Sequence, residues 1–381
     1  MKIKFILTCS VLLVLNCKNG SKDNNELQNS EAVSIPQYAK GFEIHSHANY
    51  KVLKIISPWQ NSNKEYNYAL INQNDDPNLV IDEGDFDGII PIPVKKIVVT
   101  STTHIPALEL LGVENTLIGF PETDYISSEK TRQRIDNGLV RELGKNEGIN
   151  TEVLLEIKPD VIIGFGVDGV NKALENVQKA NIPVIYNGDW VESSPLAKAE
   201  WIKFFGILYN RNKAADSIFK SIESDYLSAK SLAAKTSSKP TVLCGAMHKD
   251  IWYLPNGEST EAQFLKDANV NYLWKDSSGT GSLALNFEVV FDMAKNADIW
   301  ISPSYYKSYD ALMKANQHYT KLKAYKNKQT YSFNNTVGKK GGVLYYELGF
   351  ARPDLVLKDI IKICHPELLE DYTTYFFKPL E

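Results

Sequence analysis

The longest unbroken pattern of apolar and polar positions lies in the middle of the chain, at Ser193–Lys235. Leu196, Ala199, Ile202 and Phe205, then Ala215, Ile218, Phe219, Ile222 and Tyr226, recur at three- and four-residue steps, the period of one buried helix face. Pro195 suits a first helical turn, where an N–H would have no helical partner. The spacing predicts one long amphipathic helix, dented at Asn210–Asn212. On each side of it, short β-branched runs alternate with amphipathic segments, the pattern of strand–helix–strand crossovers and hence of parallel sheets. The expected fold class is α/β: two Rossmann-like lobes joined by one long backbone helix, with an N-terminal β-rich extension. A single doubly wound sheet carrying one long surface helix is the alternative arrangement.

The same patterns set the expected boundaries. Residues 41–93 read as two or three strands beside the first lobe, from runs such as FEIHSHANYKVLKII, YNYALI and IIPIPVKKIVVT. Residues 94–192 form the first lobe, 193–235 the connecting helix, 236–335 the second lobe, and 336–381 helices packing back onto the lobes. In the first lobe, strands are predicted at Ile97–Thr100, Leu117–Phe120, Val161–Phe165 and Ile182–Tyr186. In the second they fall at Thr241–Cys244 and Asp298–Ser302, with a loop at 245–248. TEVLLEIKPDVIIG and FEVVFDMAKNADIWIS echo each other: Glu-Val, two apolar residues, a lysine, an aspartate, then a strand.

The N-terminus changes the picture. Lys2 and Lys4 precede the apolar run Phe5–Leu15, which is too short to span a bilayer and reads as a signal peptide over 1–16. Leu13–Cys17 resembles a bacterial lipobox, in which the cysteine becomes the first residue and carries acyl chains; Cys17 is therefore the expected lipidation site. Residues 17–40 lack apolar periodicity and read as a flexible tether. Without the leader the chain carries 40 basic and 46 acidic residues, so its formal charge is −6 and nothing suggests nucleic-acid binding. Cys244 and Cys364 are expected to be buried free thiols.

Candidate chemistry comes last. Glu152 and Glu288 each lie two residues after an asparagine at an expected helix N-cap, where a carboxylate complements the helix dipole. The loops at the carboxyl ends of the strands hold Thr102, Thr103 and His104; Gly166 and Asp168; and Asp189, Trp190 and Glu192. From the second lobe come His248, Trp252, Tyr253, Tyr305 and Tyr306. These are the expected ligand-binding residues, rich in rings suited to a bulky ligand. Gly164, Gly166 and Gly169 satisfy G-x-G-x-x-G, so a dinucleotide-dependent enzyme is one alternative. His104 and His248 occupy equivalent loops and, with Asp189 or Glu192, offer a second: a bare transition-metal-ion site. No catalytic triad or paired catalytic carboxylates stand out.

The leader, the paired lobes, the connecting helix and the two glutamate segments together resemble the substrate-binding lipoproteins that serve ABC importers of iron–siderophores, cobalamin and haem. The resemblance spans roughly 94–363, and its most specific parts are Asn150–Ile163 and Asn286–Ile301. It implies a non-enzymatic protein that captures an iron–siderophore, corrinoid or haem chelate between its lobes. It also implies delivery to a dimeric permease with its ATPase, with Glu152 and Glu288 as permease-docking residues. The protein would then sit in the cell envelope, held to a membrane by its lipid anchor. No resident cofactor is implied.

Overall fold

In a computed structural model, residues 32–72, 82–166, 169 and 171–381 are described. Two sheets form the centres of two lobes. The first has the strand order Val184–Tyr186, Val161–Gly164, Ile97–Val99, Leu117–Phe120, Arg141–Glu142, all parallel. The second runs Asn271–Tyr272, Thr241–Cys244, Ile299–Ile301, Thr330–Ser332, Lys378–Pro379, parallel except for the last strand. Helices cover both faces of the first sheet, which is why its strands read as continuous apolar runs rather than alternations. Val98 and Ile162 pack with Leu154 and Leu174 on one face, while Ile97, Val99 and Ile163 face Ile105 and Phe205 on the other.

The echoed segments do the same job in each lobe. Asp160 Oδ2 accepts the N–H groups of Lys95 and Lys96 at 2.8 and 2.9 Å, at the start of the strand Ile97–Val99. Asp298 Oδ2 accepts the N–H and hydroxyl of Thr241 at 2.8 and 2.7 Å, at the start of Thr241–Cys244. Each aspartate thus pins the beginning of the parallel strand beside its own. The preceding helices, Thr151–Ile157 and Phe287–Ala294, are capped alike: Asn150 accepts from Val153 N–H, and Asn286 from Val289 N–H.

The connection between lobes departs from an unbroken helix over 193–235. It comprises Pro195–Glu200, Ile202–Leu208 and a 22-residue helix, Asn212–Ala233. The expected dent is a full stop: Asn210 adopts a left-handed conformation, and Arg211 N–H donates to Gly206 O at 2.8 Å, the bond pattern of a helix C-terminus. The chain turns so sharply that a Cβ on Gly206 would lie 2.6 Å from Cβ of Ala215, so only glycine fits there. The long helix serves both lobes. Its Ala215, Phe219 and Ile222 belong to the core of the first, while Tyr226, Ala229 and Ala233 belong to that of the second.

The N-terminal extension is a five-stranded sheet over Ala32–Ile92, more than the two or three strands expected. Its Phe42, Leu53, Ile55 and Leu70 share one core with Trp201 and Phe204 of the connection. Two buried carboxylates bind its lead-in: Glu200 accepts the N–H groups of Gln37, Tyr38 and Ala39, and Glu192 those of Lys40 and Gly41. At the other end of the chain, the expected all-helical tail is part strand, since Lys378–Pro379 extends the second sheet. The loop expected at 245–248 contains the strand Ala246–His248, which joins Ile251–Pro255 and Ser282–Asn286 in a small antiparallel sheet. Cys244 and Cys364 are buried free thiols.

Candidate functional site

A cleft of about 540 Å³ opens where the carboxyl ends of the two parallel sheets face each other. The first lobe contributes Thr100, Ser101 and Thr102 beyond Ile97–Val99, Phe120–Glu122 beyond Leu117–Phe120, and Phe165 beyond Val161–Gly164. The second contributes Tyr305 and Lys307 beyond Ile299–Ile301, Asn334 beyond Thr330–Ser332, and Tyr346 from the helix Leu344–Leu348. Glu122, Ser302 and Ser304 hold left-handed conformations at φ 52°, 55° and 54°. Such strain in non-glycine residues gathers where surrounding structure fixes functional groups. Tyr305, just beyond the two serines, is 76% exposed.

A strap from the second lobe bounds one end of this cleft. Val337 and Val343 line it, and between them Gly338 and Gly342 press against Ser127 and Tyr125 of the first lobe, where a Cβ on either would clash with backbone. Just beyond, Glu347 accepts Ser127 N–H at 2.6 Å and Ser128 N–H at 2.8 Å. Burial pushes the Glu347 carboxyl up to about 7, against the lowering effect of the two N–H donors; nearby Glu109 raises it further and Arg132 lowers it.

Of the residues expected from sequence, Thr102 and Tyr305 line the cleft. Tyr253 lines a separate cavity in the second lobe. Tyr306 packs against that lobe's core, edge to face with Tyr319. Several others lie elsewhere for a shared reason: the extension covers the ends of the outer strands of the first lobe. Trp59 sits over Gly166 and meets Tyr186 edge to face, and Pro58 abuts Gly188. Asp189, next to the covered Gly188, is buried, accepting the Thr103 hydroxyl at 2.9 Å, and burial raises its carboxyl. Trp190 is half-buried, and its carbonyl accepts the Lys198 ammonium at 2.8 Å. Burial lowers the Lys198 pKa, with Asp189 the largest opposing influence. Glu192 is spent on Lys40, Gly41 and the Trp201 indole. Asp168 and Cys17 lie outside the described residues.

Both metal-site histidines are misplaced for that role. His104 is fully buried against Phe205, and burial drives its pKa down to about 3. His248 is exposed in the hairpin of the second lobe. Trp252 is a core residue, donating from its indole to Cys244 O and packing on Trp300 and Tyr319. The glycine run has a packing explanation. A Cβ at Gly164 would strike Leu174, and one at Gly166 would meet Gly169 O at 2.5 Å and Trp59 at 3.1 Å, so close packing by itself requires both glycines. Glu152 and Glu288 are exposed in the first turns of their helices.

Phe120, Glu122, Asn334 and Tyr346 escaped the sequence reading. The rule that ligands gather at carboxyl ends of strands applies equally to Leu117–Phe120 and finds the first two. Asn334 follows the strand Thr330–Ser332 in the same way, whereas nothing local marks Tyr346.

Residues 97–336 match the family model described as "Periplasmic binding protein". An uncharacterized lipoprotein of Methanocaldococcus jannaschii is 25% identical over 386 residues, covering 95% of this chain and 90% of its own. The fold is similar to that of a possible iron-binding, periplasmic solute-binding protein from Staphylococcus epidermidis, with TM-score 0.57, 18% identity, and coverage of 72% of this chain and 99% of that one. It is also similar to the periplasmic haem-binding protein HutB of Vibrio cholerae, with TM-score 0.53, 17% identity, and coverage of 69% and 99%. Proteins of this kind bind substrates and do not transform them. With a family model matched across well over half its length, through both lobes and the helix between them, this chain belongs to the periplasmic binding protein family.

Proposed function

We propose that the protein is the solute-binding component of an ABC importer, capturing a metal chelate of the siderophore, corrinoid or haem type in the interlobe cleft and handing it to a permease. The observation that carries this reading is the cleft itself: about 540 Å³, placed between two sheet ends and walled by hydroxyls, two amides and rings from both lobes. Among the described residues its charged side chains are one from each lobe, Glu122 and Lys307. A chelate of near-zero net charge, such as an iron(III) trihydroxamate, suits that balance. A triply anionic catecholate complex would find a single lysine and a repelling glutamate.

Calorimetric titration with an iron(III) trihydroxamate, an iron(III) catecholate, haem and a corrinoid tests the reading. The trihydroxamate is expected to bind most tightly and the catecholate most weakly; absence of binding by all four sinks it. Cys17 is the proposed acylation site, which would hold the protein at the envelope membrane. No helix among the described residues is long and apolar enough to cross a bilayer. Cys17→Ser is expected to move the protein from the membrane pellet to the soluble fraction, because each buried acyl methylene contributes ~0.8 kcal/mol of attachment.

A further inference from the structure

The second lobe holds another cavity, of about 340 Å³, beside the cleft. Its floor is apolar: Cys244 and Ile301 at the ends of their strands, with Phe264, Ile360 and Phe377. Its rim carries Tyr253 and Tyr346, 41% and 46% exposed, above Gly281 and Ser282. Tyr346 also lines the interlobe cleft, so one ring divides the two spaces. That ring rests edge-on against Phe333, centroids 5.3 Å apart, and against Tyr345 at 5.9 Å. A void left by imperfect packing is sealed inside a core, where interiors are close-packed. This one is open, is rimmed by water-exposed rings, and has the left-handed Ser302 on its wall. Among its lining residues Glu261 alone carries a charge; it stands in the first turn of the helix Thr260–Asp267.

We infer that this cavity is a second subsite, which receives an apolar arm of the chelate whose metal-bearing part sits in the cleft. The inference rests on the cleft reading above and extends it. Three features define the arm. The apolar floor calls for a ring or short alkyl chain, whose removal from water supplies the affinity. The shared Tyr346 places the arm on the side of the chelate facing the second lobe, with the phenol ring as the partition it passes. Glu261 excludes a carboxylate terminus by like-charge repulsion and accepts a neutral or ammonium one.

Three iron(III) trihydroxamates with a common core, carrying a methyl, a phenethyl or a carboxyethyl arm, test this by titration calorimetry. In the wild-type protein the phenethyl chelate is expected to bind on the order of tenfold tighter than the methyl chelate, as burial of one ring implies, and the carboxyethyl chelate no tighter than the methyl one. Ser282→Trp places a ring in the cavity from its exposed rim. It is expected to abolish the phenethyl advantage while leaving methyl-chelate affinity and the thermal melt unchanged. Equal affinity for the methyl and phenethyl chelates in the wild-type protein overturns the subsite and leaves the cleft reading standing. Failure of all three chelates to bind overturns both. The wild-type comparison does not depend on the variant folding.

Discussion

At the scale of single residues, the cleft and its boundary are decided by how few side chains face inward. Tyr305 projects into the cleft from a segment whose Ser302 and Ser304 are both left-handed, so the ring is presented rather than packed. Tyr305→Ala is expected to weaken chelate binding by more than ~1 kcal/mol, as for a desolvated aromatic anchor, with the melting temperature nearly unchanged. Lost stability with intact binding would reassign the ring to structure. Glu347 makes a different prediction. Its carboxyl, raised from 4.5 to about 7, binds a proton more readily in the folded than in the unfolded chain. Its contribution to stability is therefore fully present below about 4.5 and is lost as the pH rises through about 7. Compared with Glu347→Gln, the wild-type protein should lose stability between about pH 4.5 and 7, on the order of 1 kcal/mol per pH unit, and level off above that. The acceptor that glutamine lacks gives a constant offset, so the slope of the difference in melts is what counts. Parallel pH profiles contradict the assignment.

At the scale of elements, the repeated segments are two copies of one device. A capped helix precedes an aspartate whose oxygen pins the start of the neighbouring strand. Removing that carboxylate leaves strand-start N–H groups without a partner, which costs ~1–3 kcal/mol when they are shielded from water. Asp298→Ala is expected to cost more than Asp160→Ala. The bonds of Asp298 are partly buried and it also pairs with Lys323 at 2.6 Å, whereas those of Asp160 are exposed. Urea midpoints at unchanged m-values measure the difference, and a larger loss for Asp160→Ala is the contrary result. The connecting element shows where periodicity misleads. Ser193–Lys235 keeps a helical pattern across Asn210, yet the chain turns there, because apolar residues on both sides face the same core. The left-handed Asn210, the Arg211 N–H bond to Gly206 O and the contact of Gly206 with Ala215 record the turn.

At the scale of the whole molecule, Glu152 and Glu288 stand exposed at equivalent places in two lobes that one 22-residue helix holds together. We propose that the permease has two like subunits, so that an acidic point on each lobe would meet a basic pocket on each subunit. Glu152→Ala and Glu288→Ala are each expected to lower uptake, and the pair to lower it further, with chelate affinity unchanged. Arg substitutions should be worse than Ala through like-charge repulsion. Normal uptake by the double variant at limiting chelate leaves the two glutamates as helix-start residues only. The fused extension constrains the same picture. Ala32–Ser34 is a strand and Glu192 and Glu200 bind residues 37–41 through backbone N–H groups, so this part of the expected 17–40 tether is fixed to the fold rather than flexible.

Local order and internal symmetry were legible in the chain itself. Apolar runs bounded by crossover-length segments dictate parallel sheets, asparagines dictate helix starts, and the doubled Glu-Val to Asp segment betrays two related lobes. These features depend on residues close in sequence, whose spacing carries the physics. The identity of the cleft-facing side chains was only partly legible, since strand ends locate the cleft but do not say which loop residues turn inward. Thr102 and Tyr305 face it, whereas Asp189 and Glu192, from loops of the same kind, are consumed in burial, and Trp252 lies in a strand within the core of the second lobe. What decided the fate of Glu192 was a contact between segments more than a hundred residues apart: the extension laid the 37–41 backbone over one side of the first lobe. Once covered, its carboxylates had to find donors inside the protein, because an unpaired buried charge costs several kcal/mol. No local pattern encodes that encounter, so tertiary structure alone set which polar residues hold the fold together and which remain free to meet a ligand.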